Sequence, residues 1–268
     1  MTAEVAEWDE PRIEWAAFDL ALLRSTWDYA ERLAEFIGWT ERVSRLTTLL
    51  NPAAVVRWNT DKHYLRELAA AGVPVVPTRY LEPGESAAQA LEALLSAEGC
   101  AELVVKPAVG AGSRDAARHR RGELAPAAAH AARLLDAGRS VMLQPYLDQV
   151  DRQGETALIY FAGRFSHAVR KGPLLAAGGA MAGGLFAPER ITARAPSAAQ
   201  LGVAERTLAA LPFPAPVYAR VDLLAAAGGE PVLLELELTE PSLFLAHAPG
   251  AAARLAAHLR DQVPLSSR

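Results

Sequence analysis

The sequence predicts an α+β fold with more than one sheet. Helical and strand-like segments alternate through the first half of the chain, and two antiparallel hairpins follow after residue 155. The chain has 268 residues, of which 51% are hydrophobic and 22% charged. A chain of this length and composition can bury a sizeable core, either as one large domain or as two lobes that share a core.

The first half alternates strands and helices. The expected elements, in chain order, are a buried strand over 18–24, a helix over 29–49, a short helix over 61–71, an extended segment over 73–81, a helix over 86–97, a strand over 102–107, a helix over 126–137 and a strand over 140–146. The strands are runs of apolar residues, and the helices have apolar residues at intervals of three and four. Asn51-Pro52 ends the first helix, and Asn59 or Thr60 could cap the second. Prolines confine the extended segment to a sheet edge or a linker.

The second half begins with a hairpin. The expected elements are strands over 155–162 and 164–171, a Gly-rich loop over 172–196, a helix over 197–211, a second hairpin over 217–239 and a helix over 249–262. A tight connection at Ala162-Gly163-Arg164 predicts the first hairpin. A loop as long as 172–196 is usually disordered or a functional lid.

Charge and cysteine content exclude several classes of protein. The net charge of -4 argues against a nucleic acid as the main partner, because phosphate binding needs a basic surface. The single cysteine, Cys100, excludes an internal disulfide and a cysteine metal cluster. The N-terminus has no signal peptide pattern, and the most apolar stretch, 174–187, is too short to span a membrane. We therefore expect a soluble, cytoplasmic protein that binds neither nucleic acid nor membrane.

The hairpin over 217–239 separates charged from apolar residues. If its turn is centred at Gly228-Gly229, Asp222 lies opposite Glu235 and Arg220 opposite Glu237. Because strand side chains alternate between faces, one face is charged and the other apolar. The charged face holds Tyr218, Arg220, Asp222, Glu235, Glu237 and Thr239, and the apolar face holds Val221, Leu223, Leu234, Leu236 and Leu238.

The three carboxylates on the charged face repel one another unless a cation lies among them. Arg220 offsets one negative charge, and Mg²⁺, which prefers oxygen ligands, would offset the others. The alternative is a solvent-exposed face on which Arg220 forms a surface ion pair. A one-residue slip of the register is disfavoured, because it would bury the acids and expose the leucines.

The remaining polar features each have an ordinary structural explanation when taken alone. Lys106 could be an edge lysine at the end of its strand, and Lys62 could be a surface lysine. The small residues at 110–113 would let backbone N–H groups approach a phosphate, although the loop is neither a Walker A motif nor a dinucleotide fingerprint. Gln144 to Tyr146 could be only a strand end.

No histidine or nucleophile indicates a further chemistry. His167 lies among apolar residues, where we expect a structural role, and the histidines do not have metal-ligand spacing. Neither a Gly-x-Ser-x-Gly elbow nor a Cys–His pair indicates a hydrolase.

The order of these features resembles the ATP-grasp superfamily. It runs from a lysine to a strand ending in lysine, a small-residue loop, a strand ending in Gln-Pro-Tyr, a basic strand, and Arg-x-Asp and Glu-x-Glu on one hairpin. The resemblance covers about residues 55–262. It is closest to the branch that includes the O-ureido-D-serine cyclo-ligase of cycloserine biosynthesis. The segments that carry it are RSTWDY (24–29), RWNTDKHYL (57–65), VVKPAVGAGS (104–113), QPYL (144–147), GPLLAAGGAMAGGLFAPE (172–189) and ELELTEPSLF (235–244).

The resemblance implies a fold of two α+β lobes that hold ATP between them. A shortened Rossmann-like segment precedes them, because FDLALLR comes earlier here than in the family pattern. The implied divisions are a remnant of the N-terminal domain (1–57), a small or lid lobe with a linker (58–147) and a C-terminal lobe with the metal site (148–268).

The resemblance also assigns roles to individual residues. The residues implied to bind ATP are Lys62 and Lys106 at the phosphates, the closing loop Gly110, Ala111, Gly112 and Ser113, and the adenine-bordering hinge Gln144, Tyr146 and Leu147. The implied Mg²⁺ ligands are Asp222, Glu235 and Glu237, of which Glu237 departs from an asparagine in relatives such as glutathione synthetase. The implied catalytic cations, which neutralise the transferring phosphoryl group, are Arg220 together with Arg170 or Lys171.

The implied activity is that of an ATP-dependent carboxylate–amine ligase. Such an enzyme forms an acyl phosphate and releases ADP and phosphate, and in this branch it would close a ring in an amino-acid derivative such as O-ureido-D-serine. The acyl phosphate needs protection from water, for which the loop 172–187 is the main expected lid and Gly110–Ser113 the smaller one. The alternatives are an intermolecular, glutathione synthetase-like peptide ligase and a non-catalytic Mg·ATP-binding module. Ligases of this type are often homodimers.

Overall fold

The computed structural model describes residues 2–175 and 189–263 and folds them into three sheets with helices packed against them. The predicted α+β class with more than one sheet is confirmed. Within these two ranges, no helix is both long and apolar enough to cross a membrane. The expected lid over 172–187 lies outside the described residues except for its first four positions.

The N-terminal unit is a single β–α–β crossover. Strands β1 (Leu20–Leu22) and β2 (Thr48–Leu50) pair in parallel, and helix α1 (Leu33–Val43) lies between them in the chain. Aromatic rings form its core, where Trp8 packs edge-on against Phe36 with 5.3 Å between the ring centroids. Two strands do not define a Rossmann-like topology, so that expectation stays a prediction.

Strand β2 replaces the end of the predicted helix over 29–49. Leu49 packs into the N-terminal aromatic core, whereas Leu50 packs against the C-terminal part of the chain. Consecutive side chains of a strand point to opposite faces, as this burial on two sides requires. The helical prediction is therefore wrong after Val43, because Leu49 and Leu50 are buried in two different cores on opposite sides of the strand.

Asn51, fully buried, ties the N-terminal unit to the rest of the protein. Its Nδ2 donates to the carbonyl oxygens of Tyr218 (3.1 Å) and Leu238 (2.8 Å), and its Oδ1 accepts from the N–H of Val217 (2.7 Å). All three partners are backbone groups that are distant from Asn51 in sequence. The amide side chain thus substitutes for a missing strand neighbour.

We expect Asn51→Ala to lower the free energy of unfolding by about 2–4 kcal/mol, because three buried backbone groups lose their partner. Denaturant titration monitored by circular dichroism measures this change. Thr48→Ala, at an exposed position of the same segment, serves as the control and should change stability by less than about 1 kcal/mol. Equal effects of the two substitutions would remove Asn51 as the anchor.

The small lobe contains a four-stranded antiparallel sheet in the order β3-β6-β4-β5. Its elements are α2 (Ala53–Asn59), α3 (Tyr64–Ala70), β3 (Arg79–Leu81), α4 (Ala87–Glu98), β4 (Glu102–Pro107), β5 (Ala117–Arg120), α5 (Leu124–Asp136) and β6 (Val141–Pro145). Helices α4 and α5 cover one face of the sheet with their leucines and alanines. β3 lies at the edge, as its neighbouring prolines predict. β5 and α2 were outside the sequence prediction, because ARHR has no apolar alternation and AAVVRWN is only two turns long.

Asn59 and Thr60 do not cap α3, so that prediction is wrong. The helix begins after His63, and no side chain caps its N-terminus. The Asn59 side chain instead donates to the carbonyl of Leu236 (2.7 Å) and accepts from the N–H of Leu238 (2.7 Å). The Asn59 amide thus pairs with backbone groups at the free edge of β11 and just after it, and it does not cap the helix.

The C-terminal lobe contains a five-stranded antiparallel sheet in the order β11-β10-β7-β8-β9. Its elements are α6 (Gln149–Gln153), β7 (Glu155–Phe161), β8 (Arg164–Lys171), β9 (Ile191–Arg194), α7 (Ala198–Ala209), β10 (Tyr218–Ala225), β11 (Pro231–Glu237) and α8 (Ala251–Gln262). Both predicted hairpins are confirmed. β9 corrects the predicted loop over 172–196, because pairing with β8 makes its last residues a strand.

One core connects the two lobes. Tyr64 and Leu65 of α3 pack with Val221 and Leu236 of the C-terminal sheet. The chain also runs along β11 before it reaches β3, with the N–H of Val76 donating to the carbonyl of Leu233 (2.9 Å). Because packing crosses the predicted boundaries after residues 57 and 147, the division into three parts stays a prediction.

The small lobe contains a histidine pair that predicts acid sensitivity. Nε2 of His119 lies 3.3 Å from Nδ1 of His130. Burial lowers the pKa of His119, and burial together with the neighbouring His119 lowers the pKa of His130 to about 4. The unfolded chain, with histidine pKa values near 6.5, therefore takes up protons first as the pH falls. Stability from this pair is complete above pH 6.5 and is lost between about pH 6.5 and pH 4.

We expect His130→Gln to reduce this loss by roughly 1–2 kcal/mol, since the half-exposed imidazole is partly screened by solvent. Denaturant titrations of both proteins at pH 7 and pH 4.5 measure it. His258→Gln, on the C-terminal helix, is the control and should keep the acid sensitivity of the parent protein. Parallel pH profiles for all three proteins would contradict the assignment.

Candidate active site

The charged end of the β10–β11 hairpin has the predicted register. Arg220 pairs with Glu237, and Asp222 pairs with Glu235. The alternative of a solvent-exposed charged face is wrong, because Arg220 is 5% and Asp222 1% exposed. The carboxylates line a cleft between the four-stranded and five-stranded sheets, which we call the interlobe cleft.

A β-bulge follows Asp222 and changes one predicted core position. Leu223 pairs with Leu233, and the intervening Leu234 lines the interlobe cleft. Leu233 is fully buried and takes the core position that strict alternation predicts for Leu234. A bulge adds one residue to a strand and so moves the following side chains to the other face.

Asp222 lies between two cations. The Arg220 guanidinium donates to both carboxylate oxygens, at 2.9 Å from Nε to Oδ1 and 2.7 Å from Nη2 to Oδ2, and Nζ of Lys171 lies 3.5 Å from Oδ2. Burial acts to raise the pKa of Asp222, but the charges of Arg220 and Lys171 outweigh it and hold that pKa at about 2. Asp222 is therefore an anion at neutral pH.

Glu155 completes this cluster, and the sequence analysis missed it. It pairs with Lys171 across the β7–β8 hairpin, and Nζ of Lys171 lies 2.5 Å from its Oε1. Burial raises the pKa of Glu155 to about 8, with the nearby charge of Asp222 adding to the effect and Lys171 opposing it. The predicted hairpin register alone could have identified it, since it sets Glu155 opposite Lys171.

Glu235 and Glu237 are each paired with a different cation. Nζ of Lys62 lies 3.1 Å from Oε1 of Glu235, and Nη2 of Arg220 donates to Oε1 of Glu237. Burial acts to raise the pKa of Glu235, but Lys62 and Lys106 lower it on balance. Burial raises the pKa of Glu237 to about 7, with Arg220 opposing this effect and the charges of Glu235 and Asp222 adding to it.

Lys62 and Lys106 both face the interlobe cleft. Lys62 is 6% exposed, so the alternative of a surface lysine is wrong, and its ammonium also donates to the carbonyl of Gly110 (2.7 Å). In the described ranges, the Lys106 ammonium has no hydrogen bond or ion pair. Burial, together with the charges of Lys62 and Lys171, lowers the pKa of Lys106 to about 8 although Glu235 opposes it. An anion in the cleft would pair with Lys106.

The small-residue loop borders the same cleft. All four of its predicted residues, Gly110, Ala111, Gly112 and Ser113, line it. Gly112 and Ser113 have φ values of 62° and 58°, a conformation that glycine adopts at little cost. Arg139 holds the base of the loop by donating to the carbonyl of Val109 (3.2 Å).

The predicted hinge forms another wall of the cleft. Gln144, Tyr146 and Leu147 line it together with apolar side chains such as Val104. Nε2 of Gln144 donates to Oγ1 of Thr78 (2.8 Å), which fixes the amide. The Tyr146 ring lies under the Arg118 guanidinium, 3.6 Å from its centroid. An apolar wall beside backbone polar groups suits a planar heterocycle.

Arg170 is the one predicted site residue that the structure does not bring into the cleft. Its Nε donates to the carbonyl of Gln153 (2.8 Å) and its Nη2 to that of Arg152 (3.2 Å), at the end of α6. Adjacent strand residues face opposite sides, so only one of Arg170 and Lys171 can line the cleft. That residue is Lys171.

Several cleft residues had no role in the sequence analysis. They are Trp27 and Tyr29 of the N-terminal unit, Arg114, and the acidic residues Glu155, Glu189 and Glu240. Glu240 lies within the quoted segment ELELTEPSLF, three residues after the last predicted metal ligand. Glu240 was therefore part of a segment that the sequence analysis singled out. The predicted hairpin ends at residue 239, so alternation along a strand could not show where the Glu240 side chain points.

The donor set suits Mg²⁺ bound together with phosphates. In the described ranges, no three acidic or histidine side chains converge closely enough to hold a metal by themselves. Mg²⁺ commonly uses one or two carboxylates and takes its other ligands from phosphates and water. Asp222, Glu235 and Glu237 are each paired with a cation that could pair with phosphate instead. When Mg·ATP enters, the three carboxylates could bind Mg²⁺ while their cation partners bind the phosphates. No buried charge would then be left unpaired.

Comparison with known proteins gives matches over the whole chain. A family model described as "D-cycloserine synthetase DcsG, N-terminal domain" matches residues 1–51. The cycloserine biosynthesis protein DcsG of Streptomyces lavendulae is 43% identical over 272 aligned positions, covering 98% of this chain and 89% of that protein. The crystal structure of D-cycloserine synthetase DcsG superimposes with a TM-score of 0.91 and 43% identity, covering 98% of this chain and 90% of the other.

More distant solved structures share the fold. The D-alanine–D-alanine ligase from Bacillus anthracis, complexed with ATP, has a TM-score of 0.62 and 17% identity, covering 92% of this chain and 78% of the other. The ATP-grasp ligase PsnB, complexed with a precursor variant, Mg and ADP, has a TM-score of 0.60 and 20% identity, covering 87% and 68%. These two likenesses confirm the ATP-grasp fold that the sequence predicts.

Proposed function

Because this chain belongs to the D-cycloserine synthetase family of ATP-grasp proteins and is therefore an ATP-dependent ligase, we propose that it closes a ring within an amino-acid derivative such as O-ureido-D-serine. The observation that carries the ligase chemistry is that one cleft brings together four cations and the three expected metal ligands: Lys62, Lys106, Lys171, Arg220, Asp222, Glu235 and Glu237. Such a site suits phosphoryl transfer, which needs positioning and charge neutralisation rather than a protein nucleophile.

We assign ATP to the interlobe cleft. Gln144, Tyr146 and Leu147 border the adenine, and Lys62 and Lys106 contact the phosphates. The loop over 110–113 covers the phosphates with its backbone N–H groups. Asp222, Glu235 and Glu237 hold Mg²⁺, which supplies neutralisation of phosphate charge when bound.

The first chemical step transfers a phosphoryl group. A carboxylate oxygen of the substrate attacks the γ-phosphorus of ATP, the bond from that phosphorus to the ADP oxygen breaks, and an acyl phosphate forms. Arg220 and Lys171 neutralise the charge of the transferring group. Both cations lie beside Asp222 in the cleft, where each could exchange this carboxylate for the transferring phosphoryl group.

The second step forms the ring. A nitrogen of the same molecule attacks the acyl carbon and forms a C–N bond. The bond between the acyl carbon and the phosphate oxygen then breaks, and the nitrogen loses a proton as phosphate leaves. Water would destroy the acyl phosphate, so the site must close. The loop over 110–113 stays our proposed lid, whereas the expected lid over 172–187 lies outside the described residues except for its first four positions.

An intermolecular ligase is the second candidate. The fold neighbour PsnB was solved with a precursor peptide, but its identity to this chain supports only the shared fold. The 43% identity to a cycloserine biosynthesis protein favours intramolecular closure. The same identity, together with the intact set of cations and carboxylates in the cleft, favours a ligase over a non-catalytic module.

ADP release with Mg·ATP across a panel of amino acids and O-ureido-D-serine tests the proposal. We expect ADP formation with O-ureido-D-serine alone, together with a cyclic product identified by mass spectrometry. Turnover that requires a second amine would favour the intermolecular ligase. ADP formation without any cyclic product would contradict ring closure. Sedimentation velocity on the same sample tests the expected homodimer.

A further inference from the structure

We infer that Glu240 binds the α-ammonium group of the amino-acid substrate in the interlobe cleft. This inference rests on the proposed function, because it assumes an amino-acid derivative in the cleft. It adds a substrate-recognition residue to the proposed ATP and Mg²⁺ ligands. Its basis is a carboxylate that is buried, unpaired and held in place by its neighbours.

Glu240 lines the cleft and is only 6% exposed. Across residues 2–175 and 189–263, no donor lies within hydrogen-bonding distance of its carboxylate, and no cation lies within 4.0 Å. Three cations act on Glu240 electrostatically without an ion pair to it: Lys62 is paired with Glu235, Arg220 with Asp222, and Arg24 donates to the carbonyl of Pro241. A buried carboxylate without a partner is costly, so a ligand cation would stabilise it strongly.

The backbone on both sides of Glu240 is fixed. Nη1 of Arg24 donates to the carbonyl of Pro241 (2.6 Å), and the Tyr218 hydroxyl donates to that of Thr239 (2.7 Å). Nη1 of Arg220 donates to the carbonyl of Ser242 (3.3 Å). These three donors come from parts of the chain far from Glu240 in sequence. The backbone that carries Glu240 is therefore fixed on both sides, which limits the positions that its side chain can reach.

The position of Glu240 matches the geometry of an α-amino acid. One carbon atom separates the ammonium and carboxylate groups of such a molecule, so the ammonium must lie beside the point of phosphoryl transfer. Arg220 connects the two places, since it contacts Asp222 and Glu237 in the metal site and also the carbonyl of Ser242. Glu240 therefore lines the same cleft as Arg220 and interacts with it electrostatically, which places it near the expected point of phosphoryl transfer.

The charge of the cleft favours a cation at Glu240. Lys62, Lys171 and Arg220 each have a carboxylate partner other than Glu240. Lys106, the fourth cation that we assign to phosphate, does not pair with Glu240 either. Burial raises the pKa of Glu240 well above its usual range, and the charge of Glu237 adds to this. A bound ammonium would restore the ionised carboxylate and form a charge-assisted hydrogen bond with it.

The test compares two ligands in two proteins. O-ureido-D-serine and its analogue with hydrogen in place of the amino group are titrated calorimetrically into the protein saturated with Mg²⁺ and a non-hydrolysable ATP analogue. We expect Glu240→Gln to weaken binding of O-ureido-D-serine by roughly 30-fold or more. Binding of the analogue should change less than about threefold, because it has no ammonium to lose. Glu92→Gln, at an exposed position of α4, is the matched control and should bind both ligands as the parent does.

The outcomes distinguish the role of Glu240 from the proposed ring-closing function. Ammonium-dependent weakening in Glu240→Gln supports the inference, and ADP formation by the parent protein then tests the proposed function separately. Binding of O-ureido-D-serine through Glu240 without turnover would overturn the proposed function alone. Equal weakening for both ligands, or weaker binding of the ATP analogue, would overturn the inference. Absence of binding by the parent protein would overturn both.

Discussion

Glu235→Gln is expected to reduce ADP formation about 1,000-fold or more at saturating ATP and substrate. Glutamine keeps the size of the side chain and one oxygen, but it removes the charge that holds a divalent cation. The oxygen that remains also has a weaker attraction for Lys62, its 3.1 Å partner. A coupled assay for ADP over a range of Mg²⁺ concentrations measures the loss.

The control for this prediction lies on the same hairpin. Glu230→Gln, at its exposed turn, should leave ADP formation within about twofold of the parent, because surface changes have small effects. Partial recovery of Glu235→Gln at high Mg²⁺ would support the metal role further. Unchanged ADP production would remove Glu235 from the metal site.

Asp222→Asn is expected to abolish turnover as well, but it tests the metal less cleanly. Asp222 also pairs with Arg220 and Lys171, and it is 1% exposed. Its neutralisation leaves two buried cations short of a partner, which is strongly destabilising. We therefore expect a lower melting temperature for Asp222→Asn than for Glu235→Gln, measurable by calorimetry.

Lys106→Met is expected to weaken ATP binding roughly 10- to 100-fold, the cost of losing a charge-assisted hydrogen bond to phosphate. The same change should leave the nucleotide-free protein as stable as before, or make it more stable. Lys106 has no partner in the described ranges, so its removal leaves no charge unpaired. Equilibrium binding of a fluorescent ATP analogue and thermal melting measure the two effects.

The pH dependence of stability gives a second readout for Lys106. Its pKa of about 8 lies below the 10.5 of an ordinary lysine, so the unfolded chain holds the proton to higher pH than the folded protein does. Stability should thus rise as the pH increases from about 8 to 10.5, and Lys106→Met should remove that rise. Arg121→Met, an exposed cation of the same lobe, should retain it. Equal ATP affinity in Lys106→Met and the parent would remove Lys106 from the site.

The sequence by itself determined the elements whose residues follow one local period. The hairpin over 217–239 is the clearest case: alternation predicts its faces, and its turn predicts that Asp222 faces Glu235. The strand ELVVKP has the predicted bounds for the same reason. The order of motifs along the chain was sufficient to indicate the ATP-grasp fold.

Tertiary structure decided whatever depends on contacts between distant segments. It made Thr48–Leu50 a strand, because two different cores bury adjacent leucines. It directed Lys171 rather than Arg170 into the cleft, and it enclosed Lys62 beside a loop 48 residues away. Local periodicity describes only which side of an element is apolar. The partner of a buried charge is set by the packing of distant segments, as the contacts of Lys62 with Gly110 and Glu235 illustrate.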